Sequence, residues 1–159
     1  MQFLQKAGIP LLLFFLFGCD KGLAPPLPAP TVSGSIHFIG TPKDSVQALL
    51  VVIIQAPPPY QATYLLAGAA AGTIKASSLS ITSFHDTTYS IAVSADTAYR
   101  YLGVAQKYGY DVTKDWHAVG FAHDAKDSAL VYLLKPGEQR TGVDLIVNFD
   151  SLPRQPFIP

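Results

Sequence analysis

The chain has 159 residues, 49% hydrophobic and 14% charged, with 11 Lys+Arg against 11 Asp+Glu and one cysteine. That length suits one domain, and so apolar a composition excludes a disordered chain. Zero net charge excludes a nucleic-acid binder, and a lone cysteine excludes an internal disulfide or a thiolate zinc cluster.

At the N-terminus, Lys6 precedes the apolar run Ala7 to Phe17, and the small residue Gly18 follows. These are the parts of a secretory signal peptide over residues 1–18. The run falls short of the ~20 residues that span a bilayer, and Pro10 interrupts it. Leu16-Phe17-Gly18-Cys19 resembles the bacterial lipobox, with Phe17 at its variable position. The resemblance implies that Cys19 is lipidated on its thiol, becomes the first residue after cleavage, and is then N-acylated. A thiol is a good nucleophile for that attachment. Each buried methylene of an acyl chain adds about 0.8 kcal/mol of membrane affinity. The expected location is the bacterial cell envelope, lipid-anchored at the outer membrane or on a periplasmic face. The other reading is an ordinary signal peptide whose cleavage site falls beside a cysteine.

Residues 19–30 read as the lipidated cysteine and a tether. Pro25, Pro26, Pro28 and Pro30 favour extended polyproline II and block helix and central strand. At ~3.1 Å per residue, such a tether holds a domain roughly 30 Å from the membrane. The domain itself is expected over 31–152, with a C-terminal tail over 153–159.

Ten of the eleven acids are Asp, and Glu138 is the only glutamate, a bias that favours turns over helices. Candidate strands follow in chain order. Val32 to Ile39 comes first, closed by Gly40-Thr41-Pro42. Val46 to Gln55 is a continuous β-branched run, the pattern of a strand covered on both faces. One short helix is expected at Tyr64 to Ala71. Ser78 to Phe84, Tyr89 to Ser94, Tyr99 to Lys107, Trp116 to Ala122 and Ala129 to Leu134 continue the series, the last ending at the turn Lys135-Pro136-Gly137-Glu138. Finally, Val143, Leu145, Val147 and Phe149 alternate with Asp144, Asn148 and Asp150, so one face is buried. Ile146 is the exception. The reading is an all-β, single antiparallel β-sandwich of about seven to eight strands.

Val32-Ser-Gly-Ser-Ile36, the apolar strand ending at Ile54, and Tyr89-Ser-Ile-Ala-Val93 followed by Tyr99-Arg-Tyr-Leu-Gly-Val-Ala105 resemble the transthyretin-like sandwich of carboxypeptidase regulatory-like domains. The resemblance spans about residues 31–106. Ala95-Asp96-Thr97-Ala98 stands where that family has a glycine turn. A general immunoglobulin-like sandwich fits the same pattern. Both imply a structural or binding module and no catalysis.

Chemistry-bearing motifs are few. His117 and His123 share a strand face but lie ~20 Å apart at ~3.3 Å per residue, too far for one zinc ion. Asp111, Asp115, Asp124 and Asp127 supply oxygen ligands of a kind calcium takes, but without EF-hand spacing and with Lys114 and Lys126 beside them. Turn formation is the other reading of these aspartates. No G-x-S-x-G elbow and no P-loop is present. No cofactor, no metal and no enzymatic activity are expected. Gly68 and Gly72 match a helix-packing spacing in a stretch too short to span a membrane.

Two features remain as binding candidates. Tyr99, Tyr101, Tyr108, Tyr110 and Trp116 crowd one strand-loop-strand unit. If exposed, they offer a surface for a sugar, a small ligand or a protein partner; otherwise they are core. From 45 to 74 the chain carries no Asp, Glu, Lys, Arg or His. Pro57 to Gly72 within it is either an exposed contact patch or a loop folded over the sheet. The expected function is a lipid-anchored, noncatalytic envelope β-sandwich that is structural or binds an envelope protein, with carbohydrate or small-ligand binding through the aromatics as the alternative.

Overall fold

The computed structural model describes residues 25–82, 84–122 and 131–156. The signal peptide, Cys19, His123, Asp124, Asp127 and residues 157–159 of the tail lie outside the described residues. Among those described, the elements in chain order are β1 (Thr31–Ile39), β2 (Ala48–Ile54), α1 (Ala62–Ala71), β3 (Ile74–Ser78), β4 (Thr87–Ala92), β5 (Ala98–Tyr99), β6 (Tyr101–Lys107), β7 (Trp116–Phe121), β8 (Tyr132–Leu133), β9 (Gln139–Arg140) and β10 (Leu145–Asn148). They build an all-β sandwich. The strand count exceeds the seven to eight expected because β5 is split from the strand expected at Tyr99 to Lys107 and because β9 lies outside every expected strand.

One sheet has the order β10-β1-β4, with β9 also on β1; the other has the order β3-β2-β6-β7. The second sheet is antiparallel throughout. The first is mixed: β1 is antiparallel to β4 but parallel to β9 and β10. β9 pairs the first two residues of β1, and β10 pairs Ile36 to Ile39. Between them the chain crosses β1 at Gly34 without regular pairing. There Val143 N–H donates to the Ser33 carbonyl at 3.1 Å, and Ser35 donates from its backbone N–H (2.9 Å) and its hydroxyl (2.7 Å) to Asp144. These bonds hold the Asp144 carboxyl below its usual range.

The core between the sheets comes from alternation. Val32 and Ile36 of β1, Leu49, Val51 and Ile53 of β2, and Leu102 and Val104 of β6 all point inward. Val143, Leu145, Val147 and Phe149 are buried as their spacing requires, and Ile146 stands 60% exposed.

One strand is displaced from its expected place. Ser78 to Phe84 does not form it; Ile74 to Ser78 does, paired to β2 from Ile54 to Leu50. After Ser78 the chain leaves the sheet. The Ser80 hydroxyl meets the Thr82 hydroxyl at 2.8 Å and accepts the Thr82 N–H, a local bond that competes with a ladder.

The helix is expected from Tyr64 and begins at Ala62. No side chain caps its start, but its end is well determined. Gly72, at φ 72°, donates to the Ala69 carbonyl, and Thr73 N–H donates to Gly68 at 2.9 Å. This is a Schellman ending, which the left-handed glycine makes possible. Gly68 has a packing role: a Cβ there would come within 2.8 Å of Ile74.

Candidate binding groove

The second sheet has an outer face that is also apolar. Leu50, Val52 and Ile54 alternate with the inward residues of β2, and this explains its continuous apolar run. Ile74 and Ala76 of β3 join them, as do Tyr101 and Ala105 of β6 and Trp116 and Ala118 of β7. A register shift beside Val104 and Ala105 sets Gly120 opposite Val104 and Phe121 opposite Gly103. The extra residue sends Phe121 to this outer face, where it stacks on Tyr101 at 6.2 Å.

α1 roofs one end of the face. Tyr60, just before it, is 2% exposed. Its hydroxyl donates to the Ala56 carbonyl at 2.9 Å, and its ring meets Tyr101 edge-on at 5.8 Å and stacks on Tyr64 at 5.8 Å. Ile54, Tyr60 and Tyr101 form a second buried cluster, with Tyr64, Leu65 and Ile74 packed against it. Burial pushes the Tyr60 and Tyr101 hydroxyls up from their ordinary pKa.

Beyond this cluster the face stays open as a groove of about 470 Å³. Leu65, Leu66 and Ala69 form the helix wall, and Val112, Thr113 and Lys114 form the opposite one. Among the described residues, Lys114 is the only charged side chain in the lining. Its loop is rigidified from within. The Asp111 carboxylate accepts from Thr113 N–H (2.8 Å) and the Thr113 hydroxyl (2.6 Å), and Asp115 accepts from Asp111 N–H (2.8 Å). These two aspartates serve the turn. Among the described residues no group of three His, Cys, Asp or Glu could hold a metal ion. The tail closes the β7 edge: Gln155 accepts from Ala118 N–H (2.8 Å) and donates to its carbonyl (3.0 Å). Pro156 then accepts the Tyr60 N–H at 2.7 Å.

The aromatic strip does not assemble as one exposed surface. Tyr99 is fully buried between the sheets and accepts the Ser94 N–H at 3.0 Å. Tyr101 is 7% exposed and lies on the opposite face. The alternation fails because the strand breaks at Arg100: β5 pairs with β8, while β6 pairs with β2. Tyr108 stacks on His117 at 4.9 Å. Tyr110 stands 87% exposed outside the lining. Only Tyr101 and Trp116 of the five line the groove, and the Trp116 indole N–H donates to Val112 at 3.1 Å. Lys114 and the helix leucines carry no sequence motif. The one sequence signal for this site is the apolar run of β2, which needs a cover on both faces.

His117 sits on the inward side of β7. Its Nε2 donates to Gln106 Oε1 at 3.1 Å, and Gln106 is 1% exposed. Burial holds its pKa below the ordinary 6.5. The unfolded chain therefore binds a proton more readily than the folded one. This contribution is complete above the ordinary value and is lost as pH falls below it. Thermal melting is expected to weaken between about pH 7.5 and about pH 5.5, and that slope should shrink in His117→Asn. An unchanged slope in the variant would refute this assignment.

His37 and Asp86 are 2.7 Å apart, with side chains 58% and 68% exposed. Neither lines the groove. No family model, curated protein or solved structure matches the chain.

Proposed function

We propose that the chain is a lipid-anchored, noncatalytic module of the bacterial cell envelope that binds an apolar partner through the groove on its second sheet. The observation that carries this reading is the groove itself, a largely apolar sheet face left open beside a helix that covers only one end of it. Exposed concave apolar surface of this size is where soluble domains bind ligands. The anchor reading rests on Leu16-Phe17-Gly18-Cys19 and on the proline-rich tether that follows. The transthyretin-like reading is supported by Gly34 at the crossing on β1, while Asp96, at φ 53°, departs from the glycine turn of that family.

Small-ligand binding is favoured over sugar stacking, because Tyr99 and Tyr101 are buried and no flat aromatic platform forms. The anchor is tested by Cys19→Ala. The wild-type chain should fractionate with membranes and incorporate palmitate, and the variant should do neither, since losing the acyl chains removes about 0.8 kcal/mol per methylene. A variant that still labels and still sediments with membrane would end the lipoprotein reading.

A further inference from the structure

We propose that the groove seats the hydrocarbon chain of a single-chain amphiphile of fatty-acid type, with Lys114 meeting its anionic head. This rests on the groove being the binding surface. Two features select the occupant. First, the groove has almost no polar partner to offer. The Tyr60 hydroxyl is committed to Ala56, and the Trp116 indole N–H to Val112. An extended peptide laid there would bury N–H and C=O groups without partners. A helix satisfies its own backbone, but one turn of a ~10 Å cylinder with ~5.4 Å pitch fills roughly 400 Å³. The groove, at about 470 Å³, would take one turn. A hydrocarbon chain has no backbone polar groups to satisfy. Second, among the described residues the lining has one charge, and it is positive. Asp111 is near enough to feel Lys114, but its carboxylate is held by Thr113, and among the described residues Lys114 makes no ion pair. A cation at the wall of an apolar groove complements an amphiphile with an anionic head.

Trp116 is the only tryptophan in the chain and lines the groove, so its emission reports occupancy. The full chain carrying Cys19→Ala, purified without detergent, is titrated with octanoate, decanoate and dodecanoate, and with dodecyltrimethylammonium. Dodecanoate is expected to give a saturable one-to-one change, with affinity rising roughly fourfold per methylene along the series. Lys114→Glu should weaken dodecanoate roughly fivefold, the scale of one partly exposed ion pair, while leaving the ammonium probe no weaker. Ala69→Phe, which fills the groove from the helix side, should abolish both. No saturable change with dodecanoate overturns the proposal, as does binding that neither variant alters. If dodecanoate fails while a photoreactive residue at Leu66 still captures an envelope protein, the amphiphile is wrong and the groove reading survives. If both fail, both readings fall.

Discussion

Gly34→Ala is expected to cost the fold about 3 kcal/mol or more. An added Cβ would land on the backbone carbonyl of Val143, with the Val143 nitrogen 2.9 Å away. Backbone cannot rotate aside as a side chain can, so β1 must part from the 141–144 crossing. Parting breaks the Val143–Ser33 bond, strains the Ser35–Asp144 pair and removes the acceptor of the Tyr89 hydroxyl, which donates to the Val143 carbonyl at 2.7 Å. Each such bond is worth about 1 kcal/mol, and an orphaned buried partner costs more. Denaturant unfolding followed by circular dichroism measures the loss, and in a thermal melt it amounts to roughly 10 °C. Gly142→Ala is the control. Nothing stands within 4 Å of its added Cβ, and only its φ of 71° penalises it, by about 1 kcal/mol. A Gly34→Ala chain as stable as Gly142→Ala would contradict the crossing described above.

Tyr60→Ala is expected to cost about 3–5 kcal/mol, the range for deleting a buried aromatic. The damage should be local. Tyr60 belongs to the outer cluster with Ile54 and Tyr101, distinct from the core between the sheets. Without it, α1 loses the ring that Tyr64 stacks on and the support under Leu65. Hydrogen exchange should show the α1 amides losing protection while those of β1 and β4 keep theirs. Tyr60→Phe retains the ring and loses only the bond to Ala56, at about 1 kcal/mol. Equal loss of protection in α1 and β1 would show that the two clusters unfold as one.

The sandwich is legible in the sequence wherever one face is wet. Val143 to Phe149 alternates so cleanly that even the exception, Ile146, points outward as its position demands. Legibility fails where pairing changes without a change in composition. Nothing in Tyr99-Arg100-Tyr101 announces that the chain passes from the β5–β8 ribbon to the second sheet, yet that break sends the two rings to opposite faces. The slip at Ala118 to Gly120 is equally silent. The groove was half legible. The β-branched run of β2 requires a cover on its second face, and the uncharged stretch from 45 to 74 contains the helix that supplies part of it. Which side of that helix faces the sheet could not be read, because Ala-Thr-Tyr-Leu-Leu-Ala-Gly-Ala-Ala-Ala is apolar nearly all round. Nor could Lys114 be singled out, since its place at the groove is set by a turn that Asp111 and Asp115 fold.

The proposed meeting of chain and partner at the open face of the second sheet makes a spatial demand: a partner should be captured there and not on the first sheet. The most direct measurement places a photoreactive residue in living bacteria at Leu66, on the groove wall, or at Ile146, on the outer face of the first sheet. Both side chains are accessible, 49% and 60% exposed. Irradiation should give one discrete adduct from position 66 and none from position 146, and its mass distinguishes a lipid from a protein. No adduct at 66, or equal capture at 146, would contradict the groove as the binding surface.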